Sequence, residues 1–377
     1  MHYLDNAATT RVADEAAETA ARVLREHFAN PSSLYAAGAR AEAIISAARE
    51  TVAASLGVKT GEILFTGSGT EADNIAVQGA LRARAAWGEH IVVSGFEHPA
   101  VQNAVSYMQK QGWRVTTVRP DAQGHLDLDA MVRAVGTKTA LCACMHVNNE
   151  VGTIMDVARL AREVKAKNPR TAVHVDGVQA WGKVPLKLSA TMIDSYAVSG
   201  HKIHAPKGVG ALYLRRGFHI EPLILGGLQE YGMRPGTENT AYIAAMAKAV
   251  ELLQADKTRA QRVRALSDRL WKGLAGIEGI VRNSPEDALP DVANFSVENI
   301  RSETMLHFLE SRDVCVSSGS ACSKGEASHT LNAMGLARSR VDGAVRVSFS
   351  GENTAEDVDA LLAGLRDGIR ALAKVRK

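Results

Sequence analysis

The sequence predicts an α/β protein whose larger part is a mainly parallel sheet of seven strands covered by helices, followed by a smaller α+β region. Between residues 63 and 214, short apolar runs alternate with helical segments. Such alternation is typical of βαβ crossovers, which place helices on both faces of a largely parallel sheet. After residue 256 the pattern changes to a few strands and helices without this alternation, which indicates a second, smaller unit.

Each element follows from its local pattern. Residues 12–28 are rich in alanine with charges on one face, and the next helical segment ends before Gly57. Strands of the sheet are predicted at 63–66, 90–94, 113–118, 139–145, 172–176, 193–199 and 209–214. Helices are predicted at 12–28, 36–56, 72–84, 99–110, 127–135 and 156–167, with one long helical segment at 241–274.

The C-terminal region adds strands at 293–297 and 344–349 and helices at 302–312 and 355–373. We expect a large domain of residues 15–255. The small domain is expected to combine residues 1–14 with residues 256–377.

Composition and charge exclude several classes of protein. The 377 residues are 46% hydrophobic and 23% charged, and 44 basic against 41 acidic residues give a net charge of +3. This balance argues against nucleic acid or an anionic membrane as the main partner. The first residues form neither a basic nor an apolar signal region, and no run of about 18 apolar residues occurs. A cytoplasmic location is therefore expected.

The four cysteines do not form a disulfide framework in a chain of this length. Cys142 and Cys144 would share one face of a strand, and core packing is favoured over a metal pair because no second ligand pair follows nearby. Cys322 differs, because it lies in the small and polar stretch 317–325, which has the composition of an exposed loop. An exposed thiol of this kind can react.

Further polar groups fall where the predicted strands end, and ligands bind beyond the carboxyl ends of parallel strands. Lys202 follows a buried strand, where a lysine with a lowered pKa can form a Schiff base with a carbonyl. The segment 67–70 precedes a helix and suits a phosphate, although it could be a plain helix cap. Asp176 closes an apolar strand and could bind a protonated ring nitrogen. Metal ligation with His174 is its alternative, weakened by the lack of a third ligand nearby.

Three other residues have both a functional and a structural interpretation. His98 follows a strand and could stack on a flat ligand or move protons, or do neither. Asn149 could recognise a carboxylate or simply turn the chain. Arg346 lies within an apolar strand, where it could bind a substrate carboxylate through both nitrogens or form an internal salt bridge. One ligand would use a phosphate site, an acid, an imidazole and a lysine together, and that ligand is pyridoxal 5′-phosphate.

Over nearly its whole length the chain resembles cysteine desulfurases of the NifS/IscS kind, in the class V aminotransferase family of fold-type I pyridoxal phosphate enzymes. The resemblance rests on short motifs in a fixed order. They are residues 3–10, 30–33, 70–74, 97–98, 146–152, 174–176, 199–202, 234–237 and 317–322.

The resemblance implies a role for each matched residue. Lys202 would bind the cofactor covalently, Asp176 would pair with its ring nitrogen, Gln179 would bond its ring hydroxyl, and His98 would stack on the ring and assist proton transfer. Residues implied to hold the phosphate are Gly69, Thr70, Ser199 and His201, with Thr237 from the neighbouring subunit of a homodimer.

For the substrate, the resemblance implies that Asn149 and Arg346 bind the carboxylate of L-cysteine. Cys322 would attack the substrate sulfur, keep it as a persulfide and release alanine. The sulfur would then pass to an acceptor protein, such as an iron–sulfur scaffold or a tRNA-thiolation protein. No resident metal is implied. Two alternatives remain: a selenocysteine lyase or another lyase of the same fold, and a non-catalytic scaffold that docks partners.

Overall fold

The computed structural model describes residues 1–318 and 328–372, and its largest feature is a sheet of seven strands. The twelve strands in chain order are β1 (His2–Tyr3), β2 (Ile63–Thr66), β3 (His90–Ser94), β4 (Arg114–Val118), β5 (Thr139–Ala143), β6 (Ala172–Asp176), β7 (Ser195–Ser199), β8 (Gly210–Leu214), β9 (Ile280–Arg282), β10 (Val292–Val297), β11 (Val314–Cys315) and β12 (Ala344–Ser348).

The large sheet has the order β2-β8-β7-β6-β5-β3-β4. Strands β7, β6, β5, β3 and β4 run parallel to one another, whereas β8 is antiparallel to both β2 and β7. The prediction of a mainly parallel seven-stranded sheet is confirmed.

Twelve helices are described. They are α1 (Asp14–Glu26), α2 (Ala36–Leu56), α3 (Gly69–Arg82), α4 (Pro99–Lys110), α5 (Leu128–Ala134), α6 (Val157–Lys167), α7 (Thr240–Ala255), α8 (Arg259–Leu274), α9 (Ser302–Glu310), α10 (His329–Ala333), α11 (Arg338–Asp342) and α12 (Ala355–Ala371). Helices α3 and α4 pack on one face of the large sheet. Helices α1, α2, α5, α6 and α7 pack on the other face. The large sheet is therefore covered on both faces, as βαβ crossovers require.

The single helix expected over residues 241–274 is two helices in the structure. Helix α7 ends at Ala255, and α8 begins at Arg259. The Asp256 carboxylate between them accepts hydrogen bonds from the Arg262 guanidinium and the Thr258 hydroxyl. The break has a packing reason, because α7 packs in the core of the large sheet and α8 in the core of a second sheet.

That second sheet has three antiparallel strands in the order β12-β10-β9. The first residues of the chain join this region, because β1 pairs in parallel with β11 and Asp5 bridges to Ser348 at the end of β12. Leu4 is fully buried in the same core. The start of the chain therefore lies against its last strand. Within the described ranges, no helix is both long enough and apolar enough to cross a bilayer.

Candidate active site

A cavity of about 270 Å³ opens at the carboxyl ends of the parallel strands. Ten of the residues singled out from the sequence line it: Gly69, Thr70, His98, Asn149, Asp176, Gln179, Ser199, His201, Lys202 and Arg346. Its other lining residues are Ala7, Ala8, Ser68, Asp73, Met145 and Val178. Because these residues come from distant parts of the chain, the fold brings together what the sequence order separates.

Lys202 ends a short 3₁₀ turn, Gly200–Lys202, that directly follows β7. Its Nζ donates to the carbonyl oxygens of Ala7 at 2.5 Å and Ala8 at 2.8 Å. The amine is thus held at the cavity by the first residues of the chain. A lysine in this position has its reactive nitrogen inside a cavity that also holds carboxylates.

The start of α3 forms the part of the cavity suited to an anion. Ser68 caps this helix, and its hydroxyl oxygen accepts from the backbone N–H of Glu71 at 3.1 Å. In the first turn, the N–H groups of Gly69 and Thr70 have no acceptor within the helix, and the helix dipole favours negative charge there. A Cβ at Gly69 would lie 2.7 Å from Val178 Cγ2, so only glycine allows this close approach of the backbone.

Asp176 is the last residue of β6, and its side chain is almost fully buried. Its Oδ1 accepts from the backbone N–H of Val178 at 2.9 Å. Burial raises the pKa of this carboxyl, while His98, the Val178 N–H and Lys202 act in the opposite direction. A cationic group in the cavity would stabilise the ionised carboxylate.

Two further buried carboxyls, those of Asp73 and Glu97, interact electrostatically with Asp176. The pKa of Asp73 is raised well above its usual value, mainly by burial and then by Asp176 and Glu97. Burial likewise raises the pKa of Glu97 to about 8. Glu97 Oε1 accepts from the backbone N–H of Met145 at 2.7 Å, whereas Oε2 is buried without a hydrogen-bond partner among the described residues. This arrangement suits a protonated Glu97 carboxyl at neutral pH.

His174 does not face the cavity as a metal ligand. Its Nε2 lies 3.1 Å from Asp73 Oδ1 and its Nδ1 2.9 Å from the Ser195 hydroxyl. Burial lowers the pKa of His174 to about 3, so the ring is neutral. The oxygen and nitrogen atoms of Asp73, His98 and Asp176 that could bind a metal lie within 4.8 Å of one another. A protonated ring nitrogen of a bound ligand could interact with the carboxylates of Asp73 and Asp176 instead.

His98 caps helix α4 and lies beside Asp176. Its Nδ1 accepts from the backbone N–H of Ala100 at 3.1 Å, so the neutral ring carries its proton on Nε2. Burial is the main cause that lowers the pKa of His98, opposed by Asp176 and reinforced by Lys202. The imidazole is therefore neutral at physiological pH and can exchange a proton at Nε2.

Arg346 lies on β12 and places a positive charge at the cavity, in contrast to the buried carboxyls. Its Nη2 donates to Asp5 Oδ1 at 2.7 Å and its Nη1 to the carbonyl oxygen of Asn149 at 3.1 Å. The side chain is 1% exposed, and its Nε has no hydrogen-bond partner among the described residues. The internal salt bridge is present and Arg346 also lines the cavity, whereas its binding of a substrate carboxylate stays a prediction.

Two predicted residues lie elsewhere. Thr237 lines a different cavity, together with residues 27–31, and is not among the residues around Lys202. Cys322 lies outside the described residues. Cys142 and Cys144 are buried in the core as expected, and burial raises the pKa of Cys142 to about 12.

No role was predicted from the sequence for Asp5, Asp73, Glu97 or Lys183. Asp5, Asp73 and Glu97 lie inside motifs that the resemblance used, and a carboxylate beside an apolar residue was the available signal for each. Lys183 lies on a segment whose buried face can be identified only from the fold.

Comparison with known families gives one consistent answer. Residues 2–361 match the family model described as aminotransferase class-V. A cysteine desulfurase from Gluconacetobacter diazotrophicus is 44% identical over 385 residues, covering 100% of this chain and 94% of the relative. A NifS/IcsS protein homolog from Lactobacillus delbrueckii subsp. bulgaricus is 40% identical over 381 residues, covering 100% and 99% of the two chains.

Solved structures agree with these relatives. A NifS-like protein superposes with a TM-score of 0.93 at 36% identity, over 98% of this chain and 99% of that one. A structure described as SspA in complex with cysteine has a TM-score of 0.83 at 30% identity, over 94% and 100% of the two chains.

Proposed function

Because the chain belongs to the class-V aminotransferase family and is a cysteine desulfurase, we propose that its cavity holds pyridoxal 5′-phosphate on Lys202 and passes the sulfur of L-cysteine to Cys322. The observation that carries this proposal is that Lys202, Asp176 and Arg346 face one cavity. A lysine, a buried carboxylate and an arginine there suit a carbonyl cofactor, its ring nitrogen and a substrate carboxylate.

The residues present fit this cofactor. The first turn of α3 offers backbone N–H groups to a phosphate, and Gly69 leaves room that a Cβ would fill. Burial raises the pKa of the Asp176 carboxyl, and a protonated pyridine nitrogen in the cavity would stabilise its ionised form. When bound, the cofactor supplies a carbonyl carbon for the substrate amine and a conjugated ring that withdraws electron density.

The chain's own residues perform binding and proton movement. Asn149 and Arg346 hold the substrate carboxylate, for which Arg346 Nε is a donor without another partner among the described residues. Lys202 Nζ takes the proton from the substrate α-carbon. His98 Nε2, whose ring stays neutral because burial lowers its pKa, can hand over a proton beside Asp176.

In the proposed sulfur transfer, one sulfur–sulfur bond forms and one carbon–sulfur bond breaks. The Cys322 thiolate forms a bond to the substrate sulfur, and the substrate carbon–sulfur bond breaks with its electron pair left on carbon. That carbon takes a proton and becomes the methyl group of alanine, so the products are alanine and a Cys322 persulfide. We propose that an acceptor protein then removes this sulfur.

We also propose a homodimer in which Thr237 of one subunit completes the phosphate site of the other. Thr237 lies outside the Lys202 cavity within one chain, which supports this arrangement. The proposed small domain, residues 1–14 and 256–377, would contribute Asp5, Arg346 and Cys322 to a site otherwise built on the large domain of residues 15–255.

The test compares Cys322→Ala with Cys315→Ala, a matched control on β11 only seven residues earlier. Each protein receives pyridoxal 5′-phosphate and L-cysteine, and alanine and enzyme-bound persulfide are measured. We expect Cys315→Ala to behave like the wild type and Cys322→Ala to lose both products. Selenocysteine turnover that survives in Cys322→Ala, with negligible cysteine turnover in the wild type, would contradict the proposal.

The cofactor attachment is tested separately. Borohydride reduction of the loaded wild type, followed by peptide mass analysis, should place the pyridoxyl group on Lys202. A wild-type protein without a visible cofactor band would instead support a non-catalytic scaffold.

A further inference from the structure

A second lysine contacts the cavity wall without a role in the proposed reaction. Lys183 follows Gln179 by four residues, and its Nζ donates to Gln179 Oε1 at 3.2 Å. Gln179 Nε2 donates to the carbonyl oxygen of Ala7 at 2.9 Å. The same Ala7 oxygen accepts from Lys202 Nζ. Lys183 and Lys202 are therefore connected through one buried amide and one backbone carbonyl.

These partners fix the orientation of the Gln179 amide. An ammonium can only donate hydrogen bonds, and a backbone carbonyl can only accept them. The amide oxygen must therefore face Lys183, and the amide nitrogen must face Ala7. In the reversed orientation, the amide N–H groups would face the Lys183 ammonium and the amide oxygen would face the Ala7 carbonyl oxygen. Neither pair can form a hydrogen bond. Gln179 is 5% exposed, so bulk water does not provide alternative partners.

The amide nitrogen has a second N–H, and Gln179 lines the cavity. We infer that Lys183 is a positioning residue that makes Gln179 a hydrogen-bond donor, rather than an acceptor, to the ring oxygen of the bound cofactor. This inference rests on the proposed function, in which pyridoxal 5′-phosphate occupies the cavity. A donor at that oxygen stabilises its ionised form.

The surroundings keep Lys183 available for this contact. Lys183 lines a very small cavity of about 10 Å³ together with Lys202 and Arg259. The nearby carboxylate of Asp291 is bound by the Arg259 guanidinium. Burial lowers the pKa of Lys183 to about 8, with Asp291 acting to raise it and Arg259 to lower it further. The amine is therefore still mostly charged at neutral pH, and it donates to Gln179.

The experiment titrates the visible absorbance of the cofactor-loaded protein between about pH 5.5 and 9.5. Lys183→Met removes the nitrogen but keeps the length of the side chain. We expect its midpoint to lie about 0.5 to 1 pH unit above that of the wild type, as expected for the loss of one hydrogen bond to the ring oxygen. Gln179→Leu should give a similar rise, and Lys183→Arg, which keeps a donor, should leave the midpoint close to that of the wild type.

The double variant Lys183→Met/Gln179→Leu identifies the route of the effect. If Lys183 acts through Gln179, the double variant has the midpoint of Gln179→Leu alone. An unchanged midpoint in Lys183→Met overturns the inference. Two separate shifts that add in the double variant also overturn it, because Lys183 would then act by its charge alone.

Two controls keep the result interpretable. If Lys183→Met does not fold by circular dichroism, Lys183→Gln replaces it; this side chain can accept as well as donate, so a smaller rise is expected, and no rise overturns the inference. A wild-type protein that binds no pyridoxal 5′-phosphate counts against the proposed function itself. A loaded wild type with an unresponsive Lys183 variant counts against the inference only.

Discussion

The cavity has two walls that are built in different ways. The strand-end wall, formed by Thr70, Asp176 and Lys202, consists of residues that end a strand of the large sheet, lie in the turn after one, or begin the next helix. The second wall is Arg346, which lines the cavity and binds Asp5; we call this pair the arginine wall, and its two members lie 341 positions apart in the chain. Sheet topology alone brings the first set together, whereas the second set requires the start of the chain to pack against its last strand.

The two walls differ in their charged groups, and this difference indicates which wall controls substrate binding and which controls the reaction. At the strand-end wall, burial raises the pKa values of the Asp73 and Asp176 carboxyls, so this wall favours a cationic ring. The arginine wall holds a guanidinium that is already paired with an internal carboxylate. A substrate carboxylate must share or replace that partner, so we expect the arginine wall to control binding and the strand-end wall to control reaction.

The largest effect is expected at the strand-end wall. Lys202→Ala removes the nitrogen that would bind the cofactor and move the substrate proton, so kcat should fall by about 10³-fold or more. Alanine formation under saturating cofactor and cysteine measures this change. Lys207→Ala, an exposed lysine five residues later, serves as the control and should keep wild-type turnover. A Lys202 variant with near-normal kcat would contradict the prediction that the strand-end wall controls the reaction.

The arginine wall should respond mainly in KM. Arg346→Ala removes a charged hydrogen-bond donor for the substrate carboxylate, which corresponds to a KM for cysteine raised roughly 10- to 100-fold. Steady-state kinetics over a wide cysteine range separate KM from kcat. Arg338→Ala, on a side chain that is 90% exposed, should change neither. Unchanged kinetics in Arg346→Ala would leave this arginine with the Asp5 salt bridge only.

A third prediction concerns the buried acid behind the strand-end wall. The pKa of Glu97 is raised from 4.5 to about 8, so the native protein holds this proton over a pH range in which the unfolded chain releases it. This contribution to stability is complete below about pH 4.5 and is lost as the pH rises through 8. Glu97→Gln cannot ionise, and its stability relative to the wild type should rise by a few kcal/mol between pH 5 and pH 9.

Thermal unfolding of the cofactor-free proteins at pH 5, 7 and 9 measures this difference. Glu303→Gln, an exposed position on α9, is the control and should follow the wild type at each pH. A Glu97→Gln difference that stays constant with pH would show that Glu97 is ionised in the native protein.

The smallest effect is expected at Asp5. Asp5→Asn keeps an oxygen that can accept from Arg346 but removes the charge that competes with the substrate, so the KM for cysteine should fall about two- to fivefold. The same kinetic assay detects it. A raised KM would mean that Asp5 holds Arg346 in its productive orientation, and the two members of the arginine wall would then act together.

Much of the strand-end wall could be predicted because its residues follow apolar runs that end abruptly. The strands at 63–66, 90–94 and 172–176 have the predicted bounds, and their carboxyl ends meet because the strands are parallel. The single helix expected at 241–274 was wrong, because nothing local shows that its two halves face different cores.

The salt-bridge partner of Arg346 could not be predicted from the sequence, for a physical reason. A salt bridge between Asp5 and Arg346 depends on the pairing of β1 with β11 and on the bridge from Asp5 to Ser348. The contact from Lys183 to Gln179 depends on which face of a short turn is buried. Roles for Thr237 and Cys322 rest on the resemblance and stay predictions.

The position of residues 5–8 has a consequence for the order of events during synthesis. Carbonyl oxygens of Ala7 and Ala8 bind Lys202, and Asp5 binds Arg346 on β12. Residues 5–8 are synthesised before β12, so the contacts that hold them are complete only after residue 348 has been made. We expect a chain that stops before β12 to load cofactor poorly, because Arg346 and its contact with Asp5 would be missing.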